Sequence, residues 1–346
     1  MKKRLLFFIP VLISVSCMKS TGPDIHETTG SFLAGPGAFI LNEGNFNGGN
    51  GSLSFYSYDS AKIYNNVFMS INKRPLGDIP FSMVLQGDKA YIVVNNSGKI
   101  EVVDRNNLES INTINGLISP RQISFIDDTK AYVSSLYSDS IVILNILADV
   151  ISGFIDIDRP SEAIVSVFRK VFVAHWTGGN KILVINALTN HVIDSIEVGL
   201  EPESMVLDKN NMLWVLCNGG WQRNNYAELI GINTTTHSIE KRFTFPLKTD
   251  SPLCLQIHGE GETLYYLHNG VRRMSITASE LPETPFIPES EHHFYRIGIN
   301  PANGDIFVTD AVDYQQRGYV LRYKKDGTLI STMQAGIIPG SMCFKL

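Results

Sequence analysis

The chain has 346 residues, of which 44% are hydrophobic and 18% charged, and its formal net charge is −5 at pH 7. A chain of this length and hydrophobic fraction can bury a large core. The negative charge argues against nucleic acid as a partner, because contacts to phosphates depend on an excess of Lys and Arg.

The N-terminus has the features of an export signal. Residues 2–4 are basic, residues 5–13 are apolar, and Ser14-Val15-Ser16 precede Cys17. A basic segment followed by a short apolar one is typical of a signal peptide. Small residues before a cysteine resemble the lipobox of bacterial lipoproteins, although Ser14 stands where an aliphatic residue is usual. We expect a signal peptide over residues 1–16 and a lipidated Cys17, with ordinary secretion as the alternative.

Residues 18–37 contain Thr, Ser, Gly, Pro and Asp without periodicity. This composition predicts a flexible tether over residues 17–37. After the N-terminus, no apolar run in the sequence is long enough to span a bilayer. We therefore expect contact with the membrane through the lipid anchor only.

The remaining sequence is a repeat of short β-strands. The clearest copy covers residues 160–196, where four segments rich in β-branched and aromatic residues alternate with turn residues. This pattern is typical of antiparallel strands. The four predicted strands are residues 163–165, 170–174, 181–186 and 192–196.

An aromatic residue in the second strand of each copy sets the period. Its successive occurrences are 52, 41, 40, 42, 51 and 42 residues apart, at Phe39, Tyr91, Tyr132, Phe172, Trp214, Tyr265 and Phe307. A proline opens most of the preceding innermost strands, at Pro80, Pro120, Pro160, Pro202, Pro252 and Pro339. A four-stranded repeat of about forty residues indicates a β-propeller blade. The sequence predicts an all-β fold, a seven-bladed β-propeller of four-stranded blades over residues 38–346.

The two ends of the repeat predict how the propeller closes. The first copy begins at its second strand, residues 38–41, whereas residues 340–344 form an innermost strand with nothing after it. The C-terminal strand should therefore join the N-terminal three strands in one blade. This arrangement leaves no free sheet edge between the first and last blades.

Long connections are predicted on one face only. In a propeller, the loops between second and third strands share a face with the connections into the next blade, and the long segments of this chain all belong to these two classes. They are residues 43–50, 70–79, 219–225, 246–251, 279–293 and 311–317. Insertions concentrated on one face of a repeat protein usually mark its binding face.

The predicted binding face combines aromatic side chains with Asn and Arg. Aromatic groups give a large contact area at low entropic cost, and Asn and Arg supply hydrogen-bond donors. The candidate ligand-binding residues are Asn45, Phe46, Arg121, Tyr137, Trp176, Trp221, Arg223, Tyr226, Tyr295, Arg296 and Tyr314. Two alternatives remain open: Tyr137, Tyr226 and Tyr295 could pack between blades, and Arg121 could pair with Glu162 or Glu203.

The sequence contains no catalytic fingerprint. It lacks the GxSxG, HExxH, P-loop and dinucleotide motifs. His175, His268, His292 and His293, with Asp310 and Asp313, could be imagined in a metal site, but their spacing fits no ligand pattern. We expect no catalytic residue, metal or cofactor, and we expect the cysteines after Cys17, at 217, 254 and 343, to be buried core residues.

Several segments resemble one family. They are Asn42-Glu43-Gly44-Asn45, residues 51–56, Asn65-Asn66-Val67-Phe68, and Gly77-Asp78 with Met83. The combination resembles the YVTN-type propeller lipoproteins of gut anaerobes, the family that includes cobalamin-capturing surface lipoproteins partnered with TonB-dependent transporters. The resemblance covers the chain from about Phe39 to its end.

The resemblance implies a function in nutrient capture. It implies a lipid-anchored protein of the outer membrane, facing the cell surface, that binds cobalamin or a related corrinoid and passes it to a TonB-dependent transporter. The phosphate of the corrinoid would lie near Arg121, Arg223 or Arg296. A glycan-binding or scaffolding propeller, or a metal-dependent lactonase, is the alternative.

Overall fold

The computed structural model describes residues 31–346. The predicted signal peptide, Cys17 and most of the predicted tether lie outside the described residues. Within residues 31–346, no helix is both long and apolar enough to cross a membrane.

The described chain consists almost entirely of short β-strands in seven consecutive groups. A 3-10 helix, Ser31–Leu33, precedes them. The strands of the first three groups are β1 (Gly37–Asn42), β2 (Ser52–Ser57), β3 (Lys62–Tyr64), β4 (Pro80–Gln86), β5 (Lys89–Val94), β6 (Lys99–Asp104), β7 (Ser110–Asn115), β8 (Pro120–Phe125), β9 (Lys130–Ser135), β10 (Ser140–Asn145) and β11 (Val150–Asp156). Those of the fourth and fifth groups are β12 (Ser161–Val167), β13 (Lys170–His175), β14 (Lys181–Asn186), β15 (His191–Glu197), β16 (Pro202–Leu207), β17 (Met212–Cys217), β18 (Glu228–Asn233) and β19 (Ile239–Thr244). Those of the last groups are β20 (Leu253–Ile257), β21 (Thr263–Leu267), β22 (Val271–Ser275), β23 (Arg296–Ile299), β24 (Ile306–Asp310), β25 (Arg317–Tyr323), β26 (Leu329–Ile337) and β27 (Pro339–Lys345).

Each group forms one antiparallel sheet, and the seven sheets are the blades of a β-propeller. Blade 1 has the order β27-β1-β2-β3, which confirms that the C-terminal strand completes the blade begun by the first three strands. The register pairs Ala38 with Phe344 and Phe39 with Cys343. Each later blade follows chain order from its innermost to its outermost strand.

Blade 6 differs from the predicted four-stranded pattern, because it contains only β20, β21 and β22. Residues 279–291 form no outermost strand, and Ile287 makes only an isolated bridge with Val271. The segment contains Pro282, Pro285 and Pro288. A proline has no N–H to donate to a sheet, so three of them prevent a regular fourth strand.

The sequence of residues 62–68, read in series with the preceding strand, predicts one extended segment in the outer part of blade 1, and this prediction is wrong. The strand ends at Tyr64 and a helix, α1 (Val67–Asn72), follows. Asn66 has a left-handed backbone with φ of 55°, which interrupts the strand. Val67 and Phe68 are fully buried in the cluster between blades 1 and 2, so this helix fills that interface.

The core is divided into seven hydrophobic clusters, one at each interface between neighbouring blades. In a strand, alternate side chains point to opposite faces, so each blade contributes to two interfaces. All seven aromatic residues that define the repeat are buried, as the period predicted. The wedge shape therefore results from packing on both faces of every sheet.

A polar contact reinforces the interface between blades 2 and 3. The Tyr91 hydroxyl donates a 2.9 Å hydrogen bond to Asp149, and the Lys89 ammonium lies 2.5 Å from the other carboxylate oxygen. Burial, together with Asp149, raises the pKa of Tyr91. Tyr132 makes the equivalent contact one blade further on, donating to Asn190, and burial raises its pKa to about 12. These aromatic residues thus connect blades as well as filling the core.

Four innermost strands begin with the same backbone corner. The residue before the proline has a left-handed φ, between 42° and 56°, at Ile79, Ser119, Glu201 and Ile338. Its carbonyl accepts a hydrogen bond from the first residue after a second strand, as in Asn95 N–H to the Ile79 carbonyl at 2.8 Å. The left-handed region is unfavourable for isoleucine in particular, so this hydrogen bond offsets local strain. The innermost strands surround the central channel of the propeller, and the corner fixes where these four strands begin.

Candidate functional site

The structure places the long connections on one face, which we call the loop-rich face. It carries the loops between second and third strands and the connections into the next blade. On the opposite face the turns are short, and the longest is residues 300–305. Five of the six segments that the sequence predicted as long belong to the loop-rich face. The sixth, residues 279–293, follows β22 in the three-stranded blade 6, so it starts from the opposite face and reaches the loop-rich face only before β23.

Exposed aromatic side chains gather in the loops between second and third strands. Within residues 31–346, seven Phe, Tyr or Trp side chains are strongly exposed, and five of them lie in these loops. They are Phe46 (68% exposed), Tyr137 (71%), Trp221 (87%), Tyr226 (46%) and Tyr314 (54%). Exposure of large aromatic groups is unfavourable in water, so their concentration on one face indicates a contact surface.

Asn45 holds two of these loops together. Its side-chain amide donates a 2.7 Å hydrogen bond to the Tyr314 carbonyl, and its side-chain oxygen accepts one from Asn50. Tyr314 has a left-handed φ of 61° and packs edge-on against Tyr295, with ring centroids 5.7 Å apart. The loops of blades 1 and 7 are therefore joined by a hydrogen bond next to the Tyr295–Tyr314 pair.

Arg121 is buried at the channel and is paired. Its guanidinium donates two hydrogen bonds to Glu162, at 2.7 and 2.6 Å, and lies 3.4 Å from the Phe81 ring centroid. The arginine is 9% exposed and the glutamate 4%. The sequence left Glu162 and Glu203 open as partners of Arg121, and the structure pairs Arg121 with Glu162.

Tyr295 and Arg296 take part in a second polar group at the channel. The Tyr295 hydroxyl donates to both oxygens of Glu43, at 3.0 and 3.1 Å. Arg296 lies 3.6 Å from Glu203 and donates to the Cys254 sulfur at 3.1 Å. Burial raises the pKa of the Cys254 thiol to about 11, although Arg296 opposes this effect.

The cysteines are free thiols, and not all of them are core residues. Cys217 and Cys254 are buried, whereas Cys343 in β27 is half-buried. Burial raises the pKa of Cys343 to about 12, which disfavours its thiolate. The prediction of three buried cysteines therefore holds for two of them.

A cavity of about 420 Å³ opens on the loop-rich face between blades 5 and 6. Its wall includes Arg223, Leu247, Asp250, His268 and Phe294. The His268 Nε2 lies 3.4 Å from an Asp250 oxygen. Burial lowers the pKa of His268, and Arg272 acts in the same direction against Asp250. The cavity thus has an apolar side, an imidazole beside a carboxylate and an exposed guanidinium.

The loop that supplies Arg223 to this cavity carries two more of the predicted residues. Tyr226 lies beside Lys248, whose ammonium is 5.5 Å from the tyrosine ring centroid. Trp221 precedes Arg223 in an exposed loop in which Gly219 and Gly220 have φ values of 82° and 84°. Three predicted residues, Trp221, Arg223 and Tyr226, therefore belong to the one loop that borders the cavity.

The remaining predicted residues lie elsewhere. Trp176 is half-buried, and within residues 31–346 its indole Nε1 has no hydrogen-bond partner. Tyr137 is on the loop-rich face in blade 3, away from the blade 5 loop in sequence and in ring order. The structure therefore brings together a subset of the predicted site.

The histidines considered as metal ligands each have a separate partner. His292 Nδ1 lies 2.6 Å from Asp310, while His268 faces Asp250. His293 is 3.9 Å from Glu289. In the part of the chain that the structure describes, no three His, Cys, Asp or Glu side chains are grouped so that they could hold a metal ion.

Sequence reasoning missed the partners that shape the site. Asp250 and Glu43 were not among the candidates, although Asp250 lines the cavity and Glu43 fixes Tyr295. Glu43 and Tyr295 are 252 residues apart, and only the closed ring brings them together. The sequence signal that could have indicated Glu43 and Asp250 is that both belong to segments predicted as long loops, residues 43–50 and 246–251.

The fold and the loop-rich face define a seven-bladed β-propeller with a candidate ligand-binding face. The family model described as "Domain of unknown function (DUF5074)" matches residues 36–336, and the chain belongs to this family. Among curated proteins, no relative matches the chain.

Solved structures share the fold at low sequence identity. A quinonprotein alcohol dehydrogenase-like protein from Bacteroides thetaiotaomicron has a TM-score of 0.70 and 15% identity, and the match covers 90% of this chain and 78% of that one. A putative 6-phosphogluconolactonase from Bacteroides uniformis has a TM-score of 0.66 and 12% identity, covering 90% and 99%. Virginiamycin B lyase from Staphylococcus aureus has a TM-score of 0.58 and 15% identity, covering 72% and 83%. These identities establish a common fold and nothing about the ligand.

Proposed function

We propose that this protein is a lipid-anchored surface receptor that binds a small-molecule nutrient on its loop-rich face. The observation that carries the proposal is the concentration of exposed aromatic side chains on this face, two of which belong to the blade 5 loop that lines a cavity through Arg223. Small-molecule sites combine apolar surface with a few polar groups in a largely preformed cavity. The loop from Gly219 to Ala227 supplies both kinds of group.

Cobalamin, or a related corrinoid, is the ligand that we propose. Its flat ring would lie against Trp221 and Tyr226, and its phosphate would lie near Arg223. Arg121 and Arg296 are less suitable for the phosphate, because carboxylates already neutralise them. Arg223 is exposed and lines the cavity. The bound nutrient would pass to a TonB-dependent outer-membrane transporter.

Trp221→Ala should weaken cyanocobalamin binding by about thirtyfold, because a central aromatic contact typically contributes about 2 kcal/mol. Isothermal titration calorimetry on the purified propeller measures the effect, and Arg223→Ala tests the phosphate contact in the same way. The matched control is Phe168→Ala, an aromatic residue that is 64% exposed but lies in a turn of the opposite face. It should leave the affinity unchanged.

Absence of cyanocobalamin binding to the unmodified protein would refute the corrinoid assignment. Equal weakening by the Phe168 and Trp221 variants would refute the location. Hydrolysis of a lactone in the presence of divalent metal would instead support an enzyme, and retention on a glycan column alone would support a glycan-binding propeller.

The proposed anchor predicts that Cys17→Ser abolishes lipidation. Cells expressing the full chain would be fed an alkyne analogue of palmitate, and the purified protein would be examined by in-gel fluorescence after dye coupling. Cys343→Ser is the control, because this half-buried cysteine belongs to β27 and should not affect labelling. Labelling that persists in the Cys17 variant would place the lipid on another residue, and an unmodified chain without labelling would argue for secretion without an anchor.

A further inference from the structure

A second cavity, of about 630 Å³, lies between blades 3 and 4, away from the cavity used above. One wall is residues 156–159, the connection out of blade 3. The other wall comes from blade 4 and includes His175, Lys181, Leu183 and Ser195. The volume falls within the range of small-molecule sites, about 300–1,000 Å³.

His175 is placed in this wall by the alternation of β13. Val171 and Val173 point towards blade 3 and pack against Ile155 and Ile157 in the cluster between the two blades. His175 is next on the same side of the strand, where the hydrophobic cluster stops and the cavity begins. The end of the blade interface is therefore open and polar rather than filled.

The imidazole of His175 is buried but incompletely satisfied. The residue is 6% exposed, and within residues 31–346 its Nε2 has no hydrogen-bond partner. Burial lowers the pKa of His175, and the charges of Arg159 and Lys181 lower it further. A buried polar atom without a partner is unfavourable, so a ligand hydroxyl that reached it would restore a missing hydrogen bond.

The other lining groups present donors and acceptors side by side. Arg159 and Lys181 are exposed donors, while Asp156 and Asp158 supply carboxylate oxygens. Asp194 also lines the cavity, but its carboxylate is paired with His237 of blade 5 at 2.6 Å. Because basic and acidic side chains line the same cavity, it favours neither an anionic nor a cationic ligand. It suits hydroxyl groups, each of which both donates and accepts.

A tight glycine turn follows His175 and lines the cavity. A side chain at Gly179 would meet the backbone carbonyl oxygen of His175 at 2.4 Å, so this turn requires glycine there. Gly178 has a left-handed φ of 71° and donates its N–H to Glu201. The two glycines allow the chain to turn directly after the histidine.

We propose that the cavity between blades 3 and 4 binds a neutral polyhydroxylated molecule, one or two sugar rings in size. One hydroxyl hydrogen-bonds to the His175 Nε2, and its neighbours bridge the Asp158 carboxylate and the Lys181 ammonium. This site is separate from the loop that borders the cavity between blades 5 and 6, so it does not depend on the corrinoid proposal.

Nuclear magnetic resonance on protein labelled with ¹⁵N-histidine tests the proposal directly. The probes are glucose, galactose, mannose, N-acetylglucosamine, lactose and cellobiose at millimolar concentration, with inorganic phosphate as the anionic comparison. At least one sugar should shift the ring nitrogen resonances of His175. Phosphate should not.

His175→Gln should weaken that sugar by about tenfold, because one hydrogen bond to the ligand is altered. His191→Gln is the matched control, since His191 is exposed at the other end of blade 4 in β15. Asp158→Asn, at an exposed position, tests the same site if the His175 variant does not fold. Trp221→Ala should leave sugar binding unchanged, which separates this site from the proposed corrinoid site.

Three results would overturn the proposal. The first is that no sugar of the panel shifts the His175 resonances. The second is that phosphate alone does so, which would make the cavity an anion site. The third is that both the His175 and the Asp158 variants fold and bind the sugar as tightly as the unmodified protein.

Discussion

Replacing Arg121 with methionine should lower the free energy of unfolding by about 3–5 kcal/mol, because removal of one partner leaves a buried charge uncompensated. Glu162 is 4% exposed, and the two hydrogen bonds from Arg121 are those that satisfy its carboxylate. The variant also loses the contact of the guanidinium with Phe81. Urea denaturation followed by circular dichroism measures the change.

The matched control is the double variant Arg121→Met with Glu162→Met. A buried ion pair replaced by hydrophobic residues of similar size is often neutral or stabilising, so the double variant should recover most of the lost stability. Both variants should bind cyanocobalamin like the unmodified protein if Arg121 has a structural role. A single variant of normal stability but with impaired binding would reverse this assignment and return Arg121 to the ligand site.

Deleting residues 339–346 should abolish the cooperative thermal transition. The deletion removes β27, so blade 1 loses its innermost strand and β1 becomes an unpaired edge. It also removes Met342 and Phe344 from the cluster that joins blade 7 to blade 1. An exposed edge promotes association between chains, so the truncated protein should elute as aggregate on size-exclusion chromatography.

The control is deletion of Leu346 alone, a residue that is 64% exposed and lies after β27. This chain should elute and melt like the full-length protein. If the longer deletion kept a single sharp transition, then closure of the ring by β27 would contribute little to stability, and hydrophobic packing between blades would be sufficient.

The repeat was predictable because burial on both faces of every sheet imposes a regular sequence period. Tyr91, Tyr132 and Phe172 recur at nearly equal spacing since each fills the same place in its blade. The helix at Val67 and Phe68 was not predicted, because a short apolar pair has no periodicity of its own. The left-handed backbone of Asn66 separates this pair from the strand before it.

The face that carries the exposed aromatic side chains was predictable, but the contacts between side chains were not. Loop length predicted Phe46, Trp221 and Tyr314 on one face, where the structure has them, because insertions in a repeat appear as irregular spacing in the sequence. The sequence left two partners open for Arg121 and did not indicate the unsatisfied nitrogen of His175. Such contacts depend on the closed ring and carry no local pattern.

Because of the left-handed corner before the prolines, the loops of the loop-rich face can change in sequence independently of the sheets. The Ile79 carbonyl holds Asn95 and the Ile338 carbonyl holds Glu43, so each corner joins the end of a connection into a blade to the start of the loop after that blade's second strand. The rest of the connection and of the loop can lengthen or change composition while the sheets keep their register. A scaffold built in this way can acquire new ligand specificities by loop replacement, with little cost to folding.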